Sequence, residues 1–277
     1  MVLAKFILLV RFAICLCVLG CLTLMPWASA RKARPRPVAE LLVNATTGTI
    51  LAAHLPDVSR RPASLAKIMA LYLVFDAIDA GRLHLDDKVR ISRRAERQPP
   101  STMGLPEGRS LTVRAAIQAI AVHSANDVTV AIAEKIAGSE RAFATAMTAK
   151  ARKLGMSSTR FHNATGLTDP ANTTTARDMA TLARALLRNH PRDYAVFATR
   201  SIRWRSLPMI NHNHMLGKVQ GVDGIKTGYT ADAGYNIVSS AKRRGRRVIA
   251  VVLGAESVHA RDARAAKLVD FSFARKR

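Results

Sequence analysis

The sequence predicts an α+β fold, in which an antiparallel sheet collects strands from both ends of the chain and a helical region is inserted between them. Short β-like runs bounded by turn signals stand near the N-terminus and again after His190, while the stretch from about Ser64 to His190 carries apolar residues at helical spacing. Size agrees: 277 residues at 49% apolar composition bury one large core or two small ones, and nothing in the composition suggests disorder.

Residues 1–30 stand apart from that fold. Lys5 and Arg11 precede an apolar run from Phe12 to Leu24, followed by Pro26 and the small-residue triplet Ala28-Ser29-Ala30. The pattern reads as an export signal cleaved after Ala30, which places the mature protein in the periplasm or cell envelope. The charge-free run is short for a membrane anchor. Lipid attachment at Cys21, after Val18-Leu19-Gly20, is a competing reading, weakened by the greasy Leu22-Thr23-Leu24-Met25 that follows. All three cysteines, Cys15, Cys17 and Cys21, lie in this leader, so the mature chain has neither disulfides nor thiol chemistry.

The formal net charge is +24, and loss of Lys5 and Arg11 with the leader brings it to +22 (24 − 2). Such a charge attracts polyanions, which for an exported protein are envelope polymers or anionic membrane surfaces. No aromatic interleaving or reading motif points to nucleic acid. Solvated arginines from compositional bias explain the excess equally well.

Taken in order, Arg31 to Pro37 is a basic, proline-containing linker, and the folded domain is expected over 38–277. Ala39 to Asn44 and Thr49 to His54 flank Ala45-Thr46-Thr47-Gly48, a hairpin signal. A buried helix is expected to begin near Ser64, after Pro62, and to run to Ile78. Leu111 to Val122 and Val128 to Ala137 form helices, preceded by a Pro- and Gly-rich loop from Gln98 to Arg109. The segment His123-Ser124-Ala125-Asn126-Asp127 separates the two, with Asn126 or Asp127 capping the second. Strands return at Ser201 to Trp204, Val222 to Tyr229, Tyr235 to Ala241 and Val248 to Leu253. The last two are joined by a basic turn, and an amphipathic helix from about Ala260 to Phe273 follows. No internal repeat is visible.

Between Leu65 and Phe75 the one charged residue is Lys67, and an ammonium inside an apolar helix needs partners or must be neutral. Its i, i+3 spacing puts it on the face of Ser64, a nucleophile beside a base. A helix cap followed by a snorkelling lysine accounts for the same letters. By composition, roughly one Ser-x-x-Lys arises by chance in a chain of this length. Ser239-Ser240-Ala241-Lys242 is such a decoy, placed in a β-like run where residues three apart face opposite sides. Ser124-Ala125-Asn126 lies in a tight helix connection, where both side chains could serve as caps. Lys226-Thr227-Gly228, followed by Tyr229, lies in a strand, where Gly228 permits close backbone approach. Period-2 alternation sends Lys226 and Thr227 to opposite faces, which leaves open how both would serve one ligand.

Singly each motif is weak, but Ser-x-x-Lys, Ser-x-Asn and Lys-Thr-Gly in this order form one signature. With it go Gly155-Met156-Ser157-Ser158-Thr159-Arg160-Phe161, Asn163-Ala164-Thr165-Gly166-Leu167, Thr175-Ala176-Arg177-Asp178-Met179-Ala180 and Gly224 to Thr230. Over about Val38 to Phe273 the chain resembles the serine D-alanyl-D-alanine carboxypeptidases, the low-molecular-mass penicillin-binding proteins of peptidase type S11. The resemblance implies a β-lactamase/transpeptidase-like fold and no cofactor. It implies a peptidoglycan stem peptide as substrate and β-lactam antibiotics as covalent inhibitors. Ser64 would be the acylated nucleophile and Lys67 its base, Ser124 the proton relay, and Asn126 a holder of the substrate amide. Lys226 and Thr227 would receive the terminal carboxylate, and the backbone N–H groups of Ser64 and Tyr229 would form the oxyanion hole.

Several relatives carry a second β-rich domain and a membrane anchor. Here the sequence ends soon after the last helix, so stable anchoring is not expected, and Arg275-Lys276-Arg277 offers weak attraction to anionic lipid. The alternatives are an endopeptidase acting on cross-links, a β-lactamase, and a non-catalytic envelope-binding protein. A β-lactamase needs a deacylating carboxylate, and Glu134, Glu140 and Asp169 are poor matches for one. His212 and His214 are two apart and would share a strand face, but no third ligand stands near them in sequence, so no metal site is expected.

Overall fold

The computed structural model describes residues 37–274; the expectations for the leader, for residues 31–36 of the linker and for Arg275-Lys276-Arg277 lie outside them. The main sheet has five antiparallel strands: β1 (Ala39–Asn44), β2 (Ile50–His54), β7 (Val222–Thr230), β8 (Gly234–Arg243) and β9 (Arg246–Ala255), in the order β2-β1-β9-β8-β7. The N-terminal hairpin thus joins the C-terminal strands as the sequence predicts, and β7 is left as a free edge.

Alternation along β9 shows why two layers cover the sheet. Ile249, Val251 and Leu253 enter the core shared with the helical region, whereas Val248, Ala250 and Val252 enter a smaller core on the opposite face. There Ala265 and Val269 of the last helix, Val258–Ala274, close the layer. Each buried aliphatic side chain contributes about 1.5–3 kcal/mol relative to exposure, which makes this two-faced strand the anchor of the fold.

The helical region is built around α1 (Ala66–Asp79), which is apolar on nearly every side up to Phe75 and buries ten of its 14 residues. Around it stand α2 (Arg93–Glu96), α3 (Val113–Gln118), α4 (Asn126–Ala137), α5 (Glu140–Lys153) and α6 (Ala176–Asn189), and the Val258–Ala274 helix is α7. Short turns of 3₁₀ helix at Ala63–Leu65 and Asp193–Ala198 flank α1 and α6. Among the described residues no helix is long and apolar enough to cross a membrane.

Four local expectations are corrected. Ser64 lies in the 3₁₀ turn, and the α-helix proper starts at Ala66, because Ala63 adopts φ +49° and delays the regular hydrogen-bond pattern. The helix expected over 111–122 is a three-residue strand, β4 (Ser110–Thr112), paired with β3 (Lys88–Arg90), then α3, then a π-helical turn Ala119–His123. Neither Asn126 nor Asp127 caps α4: the cap position is Ala125, and both side chains are engaged elsewhere. The strand at 201–204, β5 (Ser201–Trp204), does not join the main sheet but pairs with β6 (Leu207–Ile210), which the pattern missed.

Candidate active site

The turn bearing Ser64 is held from three directions. Asn236, fully buried on β8, donates from Nδ2 to the carbonyls of Arg61 (2.9 Å) and Pro62 (3.2 Å) and accepts from Gly254 N–H (2.8 Å). Gly166 presses on the turn so closely that a Cβ there would fall 1.8 Å from the Ala63 carbonyl oxygen. Gly228 approaches from β7, where a Cβ would fall 2.8 Å from the Ser64 amide nitrogen. A non-glycine residue at positive φ costs on the order of 1–3 kcal/mol, so Ala63 keeps φ +49° only because these contacts enforce it. Ser64 then lines a cleft of about 400 Å³.

One turn further on, Lys67 is 0% exposed. Its Nζ lies 3.0 Å from Ser64 Oγ, 2.8 Å from Asn126 Oδ1 and 2.6 Å from the Thr165 carbonyl. The last two partners accept only, whereas a serine hydroxyl can donate. A neutral amine, with two protons and one lone pair, satisfies all three contacts when its lone pair faces Ser64. The electrostatics favour that form: burial, followed by the charge of Lys226, pushes Lys67 well below the usual lysine range, against a smaller opposing pull from Glu140. The sequence motif therefore brings a hydroxyl and a buried amine into contact, rather than capping a helix with a snorkelling lysine.

Ser124 follows the π-helical turn at φ +63°, and its buried Oγ has no hydrogen-bond partner although it lines the cleft. A hydroxyl at the cleft wall with no partner in the protein is free to bond a group that enters the cleft. Asn126 spans two elements: Oδ1 accepts from Lys67, and Nδ2 donates to the Pro99 carbonyl (2.8 Å). Asp127 gathers the loop that follows. Its Oδ2 accepts from the amides of Met103 (2.8 Å) and Gly104 (3.1 Å), and these bonds moderate the upward shift that burial imposes on its carboxyl. Pro100 and Ser101, so positioned, form one rim of the cleft.

Opposite stands the edge strand β7. Thr227, Gly228 and Tyr229 line the cleft, and Tyr229, 53% exposed, stacks on Tyr235 with ring centroids 4.3 Å apart. Residues from both faces of this edge strand line the cleft, Thr227 and Tyr229 from one and Gly228 and Thr230 from the other, but Lys226 is not among them. Lys226, 2% exposed, donates from Nζ to the Thr227 carbonyl (3.1 Å) and is felt electrostatically by Lys67, His123 and His212. Burial, then Arg261, pushes its pKa down to about 7. It makes no hydrogen bond with Ser124, whose hydroxyl stays unpartnered.

The structure adds residues that the sequence did not single out for the site. Arg261, 4% exposed on α7, brings a guanidinium to the cleft from beyond the signature motifs. His212 and His214 also line it, from a loop rather than a shared strand face; His212 is pushed down to about 4 by burial and the cations around it, and His214 lies 3.6 Å from Asp262. Among the described residues, none that lines the cleft is a carboxylate. Of these additions His212 and His214 had drawn notice by their spacing alone, and Arg261 carried no sequence signal.

Comparison with known proteins agrees with this geometry. The sequence model of peptidase family S11, described as D-alanyl-D-alanine carboxypeptidase, matches residues 29–257. The chain is 38% identical over 241 residues to D-alanyl-D-alanine carboxypeptidase DacF of Bacillus subtilis, covering 84% of this chain and 61% of that protein. It thus spans about three fifths of the length of such curated relatives. Among solved structures, D-alanyl-D-alanine carboxypeptidase DacD from Francisella tularensis superposes with a TM-score of 0.84 at 33% identity, over 85% of this chain and 70% of that one. Penicillin-binding protein D2 from Listeria monocytogenes, solved in a cefotaxime-bound form, superposes with a TM-score of 0.78 at 31% identity, over 85% and 96%.

Proposed function

The chain belongs to the D-alanyl-D-alanine carboxypeptidase family, peptidase S11, and from that premise we propose that it is an exported serine hydrolase removing the terminal D-alanine of peptidoglycan stem peptides. The observation that carries this reading is the 3.0 Å contact between Ser64 Oγ and a fully buried Lys67 amine depressed below its ordinary range. Ser64 Oγ attacks the carbonyl carbon of the penultimate D-alanine while its proton passes to Lys67 Nζ. The tetrahedral oxyanion is received by the backbone N–H groups of Ser64 and Tyr229, which the close approach of Gly228 to the Ser64 amide brings near each other. The departing D-alanine amine takes its proton through Ser124, whose hydroxyl is otherwise unpaired. Water then hydrolyses the acyl-enzyme on Ser64.

Substrate recognition follows from charge. Thr227 and Arg261 on the cleft wall would receive the terminal carboxylate, with the buried Lys226 adding positive charge from within β7, and the edge of β7 offers backbone pairing to an extended peptide, with Asn126 at the amide. β-Lactams would acylate Ser64 by the same attack, as befits a relative solved with cefotaxime bound. A β-lactamase requires a carboxylate to activate the deacylating water, and none lines the cleft. Glu140 is tied to Arg94 and to the Ala164 amide, and Asp169 to His162.

The test is intact-mass and peptide mapping after penicillin treatment, together with assay of D-alanine release from a pentapeptide. A long-lived adduct on Ser64 and stoichiometric D-alanine support the proposal. Rapid turnover of penicillin, or release of peptide only from a cross-linked dimer, overturns it in favour of a lactamase or an endopeptidase.

A further inference from the structure

The helix that starts beside Ser64 ends in a second cluster of polar groups, away from the cleft. Asp76 and Asp79 stand one turn apart at the tail of α1, and against them pack His190, which terminates α6, and Asp193, which opens the following 3₁₀ turn. His190 is 3% exposed and sits edge-on to the Tyr72 ring at 4.6 Å and tilted on Phe75 at 5.6 Å. Its Nε2 lies 3.1 Å from Asp76 Oδ1, and Asp76 Oδ2 in turn pairs with Lys150 Nζ at 2.7 Å. Its Nδ1 lies 3.0 Å from Asp79 Oδ2 yet makes no hydrogen bond. The ligand-capable atoms of Asp79, His190 and Asp193 all lie within 4.8 Å of one another.

Asp76 engages Nε2, and the buried Nδ1 is left 3.0 Å from Asp79 Oδ2 without a hydrogen bond, in one cluster with Asp193. An unpaired buried nitrogen gathered this closely with carboxylate oxygens is an arrangement that a bound cation satisfies. Carboxylate, histidine and metal in series is the usual way that a ligating imidazole is oriented, and Asp76 supplies the outer carboxylate. Tetrahedral zinc with bonds of about 2.0–2.2 Å sets neighbouring ligand atoms roughly 3.4 Å apart; here Asp79 Oδ2 and His190 Nδ1 are 3.0 Å apart and the three ligand atoms lie within 4.8 Å, so modest movement of the two carboxylates, neither of them buried, would close the set.

We propose that Asp79, His190 and Asp193 form a zinc site, oriented by Asp76 and completed by water, which ties the tail of the Ser64 helix to the segment leading into Tyr194. The imidazole selects zinc over calcium or magnesium, whose preferred ligands are all oxygen. Its role is to brace rather than to react. Tyr194, next to Asp193, donates to Asp223 Oδ1 (2.8 Å) at the foot of β7, so one ion would link the elements that carry Lys67 and Lys226.

The experiment uses the purified chain, stripped with chelator and dialysed, then titrated with ZnCl₂ by calorimetry and followed by thermal unfolding at neutral pH. The expected result is one zinc per chain and a melting temperature raised by roughly 5–10 °C when free zinc is about 100 times Kd. Asp79→Asn and Asp193→Asn change groups that are not fully buried, and each is expected to weaken binding at least about tenfold; Asp76→Asn weakens it about 10–100-fold. His214→Gln, in the cleft, is expected to leave zinc affinity unchanged. No binding by the native chain, binding that survives both Asp79→Asn and Asp193→Asn, loss in His214→Gln, or equal stabilisation by CaCl₂ would each overturn the site.

Discussion

The chain contains the spacing Ser-x-x-Lys twice in informative places, at Ser64–Lys67 and at Ser239–Lys242, and the two differ in every property that matters to chemistry. At the first, the 3₁₀ turn and the helix that follows it bring the hydroxyl and amine to 3.0 Å, and the amine is sealed from water beside a second lysine. At the second, strand geometry sends the groups apart: Ser239 donates to the Gly224 carbonyl (3.2 Å) inside the sheet, while Lys242 is exposed at the hairpin end. Identical letters give a close hydroxyl–amine pair on a cleft in one setting and a packing detail in the other. What separates them is backbone period, burial and a neighbouring cation.

Replacing the two serines breaks the comparison most sharply. Ser64→Ala is expected to lower D-alanine release by about 10⁴-fold or more and to abolish penicillin adduct formation. Ser239→Ala should leave kcat/KM within a factor of about two and lower stability by about 1 kcal/mol, the worth of one buried hydrogen bond. The lysines should repeat the contrast at smaller scale. Lys67→Ala costs about 10²–10⁴ in acylation rate with the fold intact by circular dichroism, and Lys242→Ala changes neither activity nor melting temperature measurably.

Gly228→Ala sharpens the comparison without touching a reactive group. The added methyl would lie 2.8 Å from the Ser64 amide nitrogen, so the turn must shift, and a displacement on the order of 1 Å costs about 10²-fold in kcat. The smallest effect concerns Lys226. It is cationic below its pKa of about 7 and neutral above it, so KM for a substrate ending in a carboxylate should rise severalfold from pH 6 to pH 9. A substrate amidated at that end should show no such rise.

The main architecture was readable because its signals are local. The 39–54 hairpin, the C-terminal strands and the apolar helix after Ser64 each announce themselves by period and turn residues, and all are found. β5 was readable, but its pairing with β6 was not, since the turn uses Arg205 and Ser206 at φ +45° and +69°, where glycine or asparagine would have given notice. Strands β3 and β4, three residues each, are too short to show alternation. In the site, residue types pointed to Ser64, Lys67, Ser124 and Lys226. The Thr165 carbonyl that anchors Lys67 has no such mark, because a backbone oxygen carries no residue identity. Arg261 and His212 reach the cleft only through the tertiary path of α7 and a loop. Asn126 was expected as a cap or as a holder of the substrate amide, and its contact with Lys67 depends on a residue 59 positions distant in sequence.

The difference between the two Ser-x-x-Lys segments rests on the protonation state of one amine, so its titration tests the account most directly. The acylation rate of Ser64 should be measured at saturating penicillin, by mass spectrometry of quenched samples, from pH 5 to pH 10. Lys67 neutral in the folded protein predicts a rate that falls on the acid side as a single group gains a proton, with a midpoint well below the ordinary lysine value of 10.5. A rate flat across the range, or a midpoint at the ordinary lysine value, would contradict it.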